Sequence, residues 1–598
     1  MRTFVQVLRD NATVETRSVT FVRANGEERQ VPFAKLWTTA CQRAQALYKL
    51  GVEKGDRVAL VLPEPDEFVL TFMACLTAGI VAVPMYPPQT LAKMEAYGDT
   101  VRHILEASGA KLLVTSAALR DLMSEHLAGA TGTRVVLEAE THGSEDDREP
   151  PPPVDLQDLA FLQFTSGSTS KPKGVMVSFE NLAANAQAIM VDGLRATPED
   201  RGISWLPLYH DMGLIGFVVA PLYTSTPVVF LPTMAFIRRP STWLDTVHRF
   251  RGTITFAPNF AYALAARAVT ETQSRGWDLS CMRAMGCGAE PIQAEVMRTF
   301  LARFEKNGLS PKAILPSYGM AESTLAITFM GLDEELVTDS VDVDSMRRGS
   351  ATRAEGARAA MELVACGKPF PNHELRIAGP NNEPLGDRQV GEIQVRGPSV
   401  TRGYFNNAEA TAEVFLPDGW LRTGDLGYLA AGRLHICGRH KDLIILNGRN
   451  YYPQDIEAVA SRAAGIRDGQ CVAFSTLDEK GGEHCVLVAE AKLGPRAGTA
   501  ADVISEVIQL VRAEIGIVLG EVHLIKRGTL PKTSSGKVRR REAKARLEAG
   551  ELEFLTEGEE NLDSLPPPPA PDAGAAGSRR LTRPTEATSL EAARSGGE

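Results

Sequence analysis

Over its first 320 residues the chain alternates short apolar runs with stretches of helical periodicity, and this alternation constrains the fold more than any other feature. Runs at 58–62, 80–85, 111–115, 228–231 and 253–256 have the length and composition of buried strands. Between two of them, Tyr97, Val101, Ile104 and Leu105 fall at i, i+4, i+7 and i+8, the apolar stripe of a helix lying on a sheet. Strands separated by helical crossovers predict an α/β architecture with largely parallel sheet. Residues 68–92 carry no charge and are long enough to raise the question of a membrane span. Gly79, Pro84, Pro87 and Pro88 interrupt that run, which reads as a buried helix over 67–78 followed by a strand over 80–85, so no integral membrane association is expected.

The 598 residues suffice for several domains. Lys plus Arg numbers 64 against 74 Asp plus Glu, and a net charge of -10 argues against a nucleic-acid partner held by a basic face. The eight cysteines form no CxxC pair, and the N-terminal MRTFVQVLRD lacks an apolar segment of signal-peptide length, so reduced thiols and a cytoplasmic location are expected. SEDDREPPPP (144–153) reads as an exposed connection within a large domain. From about 443 the pattern changes to a helix, apolar runs at 471–474 and 486–491 and an amphipathic helix near 504–514, a separate α+β domain. The expected division is therefore a large domain over 1–442, a small one over 443–548, and a disordered tail over 549–598 whose Pro, Ala, Gly, Ser and Arg cannot build a core.

The strongest chemical signal is FTSGSTSKPKG (164–174), which follows an apolar strand. Backbone N–H groups freed by Gly167 and Gly174, the hydroxyls of Thr165, Ser166, Ser168 and Thr169, and the charges of Lys171 and Lys173 suit a polyphosphate, although a plain polar loop would have the same composition. No Walker A loop and no strand-linked GxGxxG is present. SYGMAEST (317–324) offers a ring to stack on a base and Glu322 for a magnesium ion. LRTGDLG (421–427) places Asp425 in a glycine-flanked turn suited to ribose hydroxyls, GRHKD (438–442) contributes Arg439, and LPKTSSGKVRR (530–540) puts Lys537 on a loop. Each segment alone is as well explained by a turn or a solvated charge.

In this order the motifs TSGST, YGMAE, TGD, GRHKD and PKTSSGK resemble the adenylate-forming superfamily of acyl-CoA synthetases, luciferases and peptide-synthetase adenylation domains, over roughly residues 5–548. VAVPMYPP (81–88), SWLPLYHDMGLIG (204–216), APNFAYAL (257–264), GAEPI (288–292) and NGRNYYPQDIE (447–457) are most similar to its fatty acyl-AMP ligase branch. The resemblance implies the adenylate-forming fold: a large domain of layered sheets and helices with a small β subdomain, plus a small mobile α+β C-terminal domain. It implies ATP and magnesium as cofactors, a fatty acid substrate, and a holo acyl carrier protein or a carrier domain of a polyketide or peptide synthetase as acceptor.

By the same resemblance, Thr165, Ser166, Gly167, Ser168, Thr169 and Lys173 hold phosphates, and adenine lies between Gly288, Ala289 and Glu290 and the segment Tyr318, Gly319, Met320 and Ala321. Asp425 and Arg439 take the ribose, Glu322 the magnesium, Lys537 bridges the acyl carboxylate and α-phosphate, and His210 sits where acid meets phosphate. His210 also reads as a structural histidine in a tight turn. Met212, Leu214, Phe236, Asn259 and Phe260 are candidate walls of an acyl tunnel, with ordinary core packing an equal explanation. The resemblance also implies a hinge at Lys441 and Asp442 and a branch-specific insertion over 330–365, in which Val337, Val341 and Val343 are expected to make apolar contacts and 347–360 to be exposed to solvent. Ser170 replaces the usual glycine of the superfamily loop. A fatty acyl-CoA synthetase and a non-catalytic acyl-adenylate-binding protein are the alternatives.

Overall fold

The computed structural model describes residues 1–555 apart from 24, 89–93, 128–131, 148, 166–170, 356–359, 447–448, 478–482, 495–496 and 534–536. Two large sheets form the frame. One has six strands, in the spatial order Arg134–Leu137, Leu112–Thr115, Arg57–Val61, Val81–Pro84, Leu159–Thr165 and Lys173–Ser178. All its pairings are parallel except the last, where Leu159–Thr165 turns back on Lys173–Ser178. The other has nine strands and a parallel centre in which Ile254–Ala257, Ala284–Cys287 and Ile314–Gly319 lie side by side.

The charge-free run resolves as the sequence pattern predicts. Pro65 opens the helix Pro65–Thr77, which is buried almost throughout, and Gly79 at φ +66 turns the chain into the strand Val81–Pro84. Among the described residues no helix is long and apolar enough to cross a membrane.

A four-stranded antiparallel sheet, Glu374–Ala378, Gly391–Arg396, Leu421–Ala430 and Arg433–Arg439, follows the nine-stranded one. Beyond it, Ile466–Leu477, Glu483–Ala491 and Leu519–Ile525 form a three-stranded sheet with its own core, covered by Pro453–Ala460 and by Ala500–Glu514, which presents Val503, Val507 and Val511 to the sheet. The strand Leu519–Ile525 was not anticipated, because its sequence, LGEVHLI, alternates too weakly to stand out.

The tail expectation needs one correction. Glu551–Leu555 is not loose: Leu552 is buried against Ile525, Leu530 and Ala543, and the Leu555 N–H donates to Leu524 O at 2.9 Å. Two leucines suffice to seat this five-residue extension on an open sheet edge, a contact invisible to composition. Residues 556–598, where the rest of the predicted tail falls, lie outside those described.

The 330–365 segment also departs from expectation. Thr338–Asp342 pairs antiparallel with Ala360–Val364, with the helix Val343–Arg347 between them. Val341, Met346 and Ala351 are fully buried with Tyr428, Cys437 and Tyr452, and Val337 packs on the main core, whereas Val343 is half-buried. Among the described residues of 347–360, the predicted exposure fails clearly at Ala351, which is buried, and at Arg347, whose side chain is 12% exposed; 356–359 lie outside the described residues. Arg347 donates to Ile515 O of the C-terminal unit and lies 4.6 Å over the Tyr451 ring. An arginine stem covering apolar surface explains the difference.

Candidate active site

The antiparallel turnback of the six-stranded sheet brings Thr165 opposite Lys173. Ser166, Gly167, Ser168 and Thr169 of the intervening loop lie outside the described residues, as does Ser170. Lys173 Nζ sits 5.2 Å from the centre of the Tyr404 ring, and the Tyr404 hydroxyl donates to Glu322 Oε1 at 2.7 Å. One tyrosine thus ties the base of the loop to the carboxylate expected to hold a metal. Sequence reasoning missed Tyr404, which stands in no recognisable motif. Burial pushes the Glu322 carboxyl above its ordinary range, against the Tyr404 hydrogen bond.

Tyr318 is the penultimate residue of the strand Ile314–Gly319, and its hydroxyl donates to Asp425 Oδ2 at 2.7 Å. Arg439 Nε reaches the other oxygen, Asp425 Oδ1, at 3.0 Å. Asp425 is not in a turn as predicted; it lies within the strand Leu421–Ala430, in register with Arg439 on the neighbouring strand. Gly424 at φ +72 takes up the irregularity that its sequence suggests without ending the strand. Gly319 must be glycine, because a Cβ there would fall 1.9 Å from Leu325 O. The next residues bend tightly: the Met320 N–H donates to Leu325 O at 2.8 Å, and Ala321–Ser323 form a single 3-10 turn presenting Glu322.

At the end of the adjacent strand, Gly288 is tight against Ser317, and Ala289 adopts φ +69, an uncommon conformation for a residue with a Cβ. Glu290 accepts the Phe260 N–H at 2.6 Å, and burial pushes its carboxyl up. Asn259, beside it, accepts the Gln293 N–H at 3.1 Å.

Lys537 arrives from the C-terminal unit. It stands in a tight connection where Thr533 N–H donates to Lys537 O at 2.7 Å and Lys537 N–H donates to Thr533 Oγ at 3.1 Å. Burial pulls its ammonium below the ordinary lysine range, with Asp211, Glu290 and Asp425 opposing that pull and Arg439 adding to it. Lys537, Glu290, Asp425 and Arg439, singled out across 250 residues of sequence, therefore share one electrostatic neighbourhood. His210 caps the short turn Asp211–Gly213, and its Nδ1 lies 2.6 Å from Asp211 Oδ1.

The tunnel candidates divide. Leu214 and Phe236 are fully buried, and Phe236 stacks on Trp205 with centroids 3.9 Å apart. Met212 and Asn259 are buried, whereas Phe260 is partly exposed and meets Trp205 edge-on at 6.3 Å. At the predicted hinge, Lys441 and Asp442 lie in the turn His440–Asp442, and Asp442 Oδ2 is held at 2.8 Å by Arg540 of the C-terminal helix.

A parallel-sheet core with a hydroxyl- and lysine-bearing turnback, a Tyr–Asp–Arg cluster and a lysine supplied from the C-terminal part of the chain defines the adenylate-forming class of enzymes. Residues 8–405 match the AMP-binding enzyme family, and residues 441–557 match the Disco-interacting protein 2-like AMP domain. A Caulobacter vibrioides protein described provisionally as an acyl-CoA synthetase is 39% identical over 92% of this chain and 96% of its own length. The long-chain-fatty-acid–AMP ligase FadD26 of Mycobacterium bovis is 35% identical over 85% of this chain and 90% of its own. The medium-chain-fatty-acid–[acyl-carrier-protein] ligase JamA of Moorena producens is 32% identical over 84% of this chain and 87% of its own. A solved structure from work on fatty acyl-adenylate ligases of E. coli and L. pneumophila superposes with a TM-score of 0.86 at 35% identity, covering 92% of this chain and 98% of that one. The chain belongs to the AMP-binding enzyme family, in its fatty acyl-AMP ligase branch.

Proposed function

We propose that this enzyme joins a medium- or long-chain fatty acid to AMP from ATP, releasing pyrophosphate, and then passes the acyl group to the phosphopantetheine thiol of an acyl carrier protein. The observation that supports the first half is the Asp425 carboxylate held by the Tyr318 hydroxyl at 2.7 Å and by Arg439 Nε at 3.0 Å, with Glu322 held by Tyr404 at 2.7 Å. A fatty carboxylate is a weak nucleophile that must approach a polyanion, so the reaction needs a cation between carboxylate and α-phosphate and a fixed in-line geometry. In the first step a carboxylate oxygen bonds to the α-phosphorus as the bond to pyrophosphate breaks. Lys537 stabilises the charge shared by the two anions, Thr165, Lys173 and the loop between them bind the departing phosphates, and Asp425 with Arg439 anchors the ribose.

Magnesium suits Glu322. Its buried carboxyl, anchored through a single oxygen by Tyr404, is one protein ligand of the kind that a magnesium ion shares with phosphate oxygens and water. When bound, the ion would neutralise phosphate charge.

In the second step the pantetheine thiol attacks the acyl carbonyl and AMP leaves. The carrier as acceptor is supported by the naming of JamA and by the insertion, whose Arg347 contacts Ile515 and Tyr451 of the C-terminal unit. A swing of that unit about Lys441 and Asp442 would have to break these contacts, and a bias of a few kcal/mol suppresses one of two orientations almost completely. The reading is tested by exchange of labelled pyrophosphate into ATP with a panel of fatty acids, followed by incubation with CoA or a holo carrier protein. Acyl-adenylate should accumulate with CoA and be consumed with the carrier. Efficient acyl-CoA synthesis would overturn the second step in favour of a CoA ligase.

A further inference from the structure

Between the strand Lys173–Ser178 and the turn that presents Glu322 runs a short strap, residues 401–405, hydrogen-bonded to both. The Thr401 N–H donates to Glu322 O at 2.9 Å, the Met176 N–H to Gly403 O at 3.0 Å and the Phe405 N–H to Gly174 O at 2.8 Å. Gly403 at φ +130 lets the strap pass the helix Ala408–Val414, since a Cβ there would fall 2.4 Å from Thr411 Cγ2. The Tyr404 N–H then donates to Thr411 Oγ1 at 3.0 Å. With its backbone fixed in this way, Tyr404 meets Glu322 Oε1 with its hydroxyl at 2.7 Å and the Lys173 ammonium with its ring at 5.2 Å.

We propose that Tyr404 is a positioning residue for the metal and phosphate ends of the adenylation site, with two separable duties: its hydroxyl holds the Glu322 carboxylate by one oxygen before an ion arrives, and its ring face holds the Lys173 ammonium at the base of the polyphosphate loop. The proposal rests on the function given above. A glutamate on a single turn has rotamer freedom that a ligand would otherwise have to freeze out, and a hydrogen bond to one carboxylate oxygen removes it in advance. A lysine over an aromatic face is attracted to a quadrupole and not to an opposite charge, so its ammonium is held without being neutralised and stays available to a phosphate. A carboxylate in place of the ring would hold Lys173 too, but it would repel the phosphates that the lysine must meet. Because one side chain performs both duties, metal occupancy and phosphate binding are tied together.

The test uses the full chain with Tyr404→Phe, which removes the hydroxyl and keeps the ring, and Tyr404→Leu, which removes both. Mn2+ serves as the metal probe, bound together with α,β-methylene-ATP, which resists cleavage at the bond to pyrophosphate, and free Mn2+ is read by electron paramagnetic resonance. Both variants should bind Mn2+ about tenfold more weakly than wild type, the loss expected when one hydrogen bond to a charged group is removed. In a Glu322→Gln background, Tyr404→Phe should cost no further Mn2+ affinity. Without metal, Tyr404→Phe should bind inorganic pyrophosphate as wild type does, and Tyr404→Leu about three- to fivefold more weakly. In pyrophosphate exchange with dodecanoate, excess magnesium should restore Tyr404→Phe to within about twofold of the wild-type kcat, a rescue that a merely structural defect would not show. Wild-type Mn2+ affinity in Tyr404→Phe, or an equal loss in the Glu322→Gln background, overturns the Glu322 duty, and Tyr404→Phe decides this even where Tyr404→Leu fails to fold. Wild-type pyrophosphate affinity in Tyr404→Leu overturns the Lys173 duty. Absence of exchange in the wild type with every fatty acid counts against the proposed function instead, while the binding measurements still decide the role of Tyr404.

Discussion

The Tyr318 hydroxyl donates to Asp425 at 2.7 Å across a sequence separation of 107 residues, joining the nine-stranded sheet to the four-stranded one at the point where Arg439 grips the other carboxylate oxygen. A carboxylate held from both sides presents a defined edge, which the proposed ribose contact requires. Tyr318→Phe removes one of the two restraints while keeping the ring. A hydrogen bond to a charged group contributes about 1.5–3 kcal/mol, so the KM for ATP should rise about tenfold or more, with the KM for fatty acid unchanged. Equal effects on both substrates would show Tyr318 to be a general packing residue.

Lys537→Ala should lower adenylation by about 10² to 10³, the usual cost of losing one donor at developing charge, without altering the melting temperature. Because the folded environment depresses the Lys537 pKa and the reaction requires the ammonium, wild-type exchange should be full at low pH and fall as pH rises through that lowered value. A pH profile flat into the ordinary lysine range would contradict this.

The insertion should be probed by a point change. Deleting 330–365 would strip Val341 and Met346 from the core they share with Tyr428 and Tyr452. Arg347→Ala should instead free the contact to Ile515 and Tyr451, raising acyl-CoA formation several-fold while leaving pyrophosphate exchange within about twofold. Chromatographic quantification of acyl-CoA against acyl-adenylate reads the outcome directly.

Asp455 lies near the same contact. Burial, and secondarily Glu457, pushes its carboxyl up to about 7, against the charge of Arg347. The folded protein therefore holds a proton that the unfolded chain releases at lower pH, and this group's contribution to stability declines as pH rises from the ordinary carboxylate range through 7. Asp455→Asn should raise the melting temperature at both pH values, and by more at pH 8 than at pH 5. The reverse order would refute the assignment.

Truncation separates two parts of the tail. Removal of residues after Leu555 should leave melting and adenylation unchanged. Cutting after Ala549 also removes Leu552, whose burial contributes about 1.5–3 kcal/mol, and should lower the melting temperature of the C-terminal unit by several degrees in calorimetry.

Much of this site was legible in one sequence because its chemistry demands particular residue types in short segments. Gly319 stands where no Cβ fits, Lys173 closes a loop of hydroxyls, and Glu322 follows a tight bend. Such demands leave local patterns that survive reading in one dimension. Tyr404 offered no pattern at all, and Asp425 was assigned a turn because its flanking glycines carry the same signal in a bulged strand.

By itself the sequence determined the alternation of strand and helix, the break of the charge-free run at Gly79, and the types of group available for phosphate, ribose and carboxylate, since each follows from backbone sterics or side-chain chemistry within a few residues. Only the tertiary structure decided which distant groups meet: Tyr318 with Asp425, Tyr404 with Glu322, Arg347 on Tyr451, and Leu552 in a core it reaches from beyond the last helix. Those pairings depend on how whole sheets pack, and packing is settled by the sum of buried surfaces over hundreds of residues.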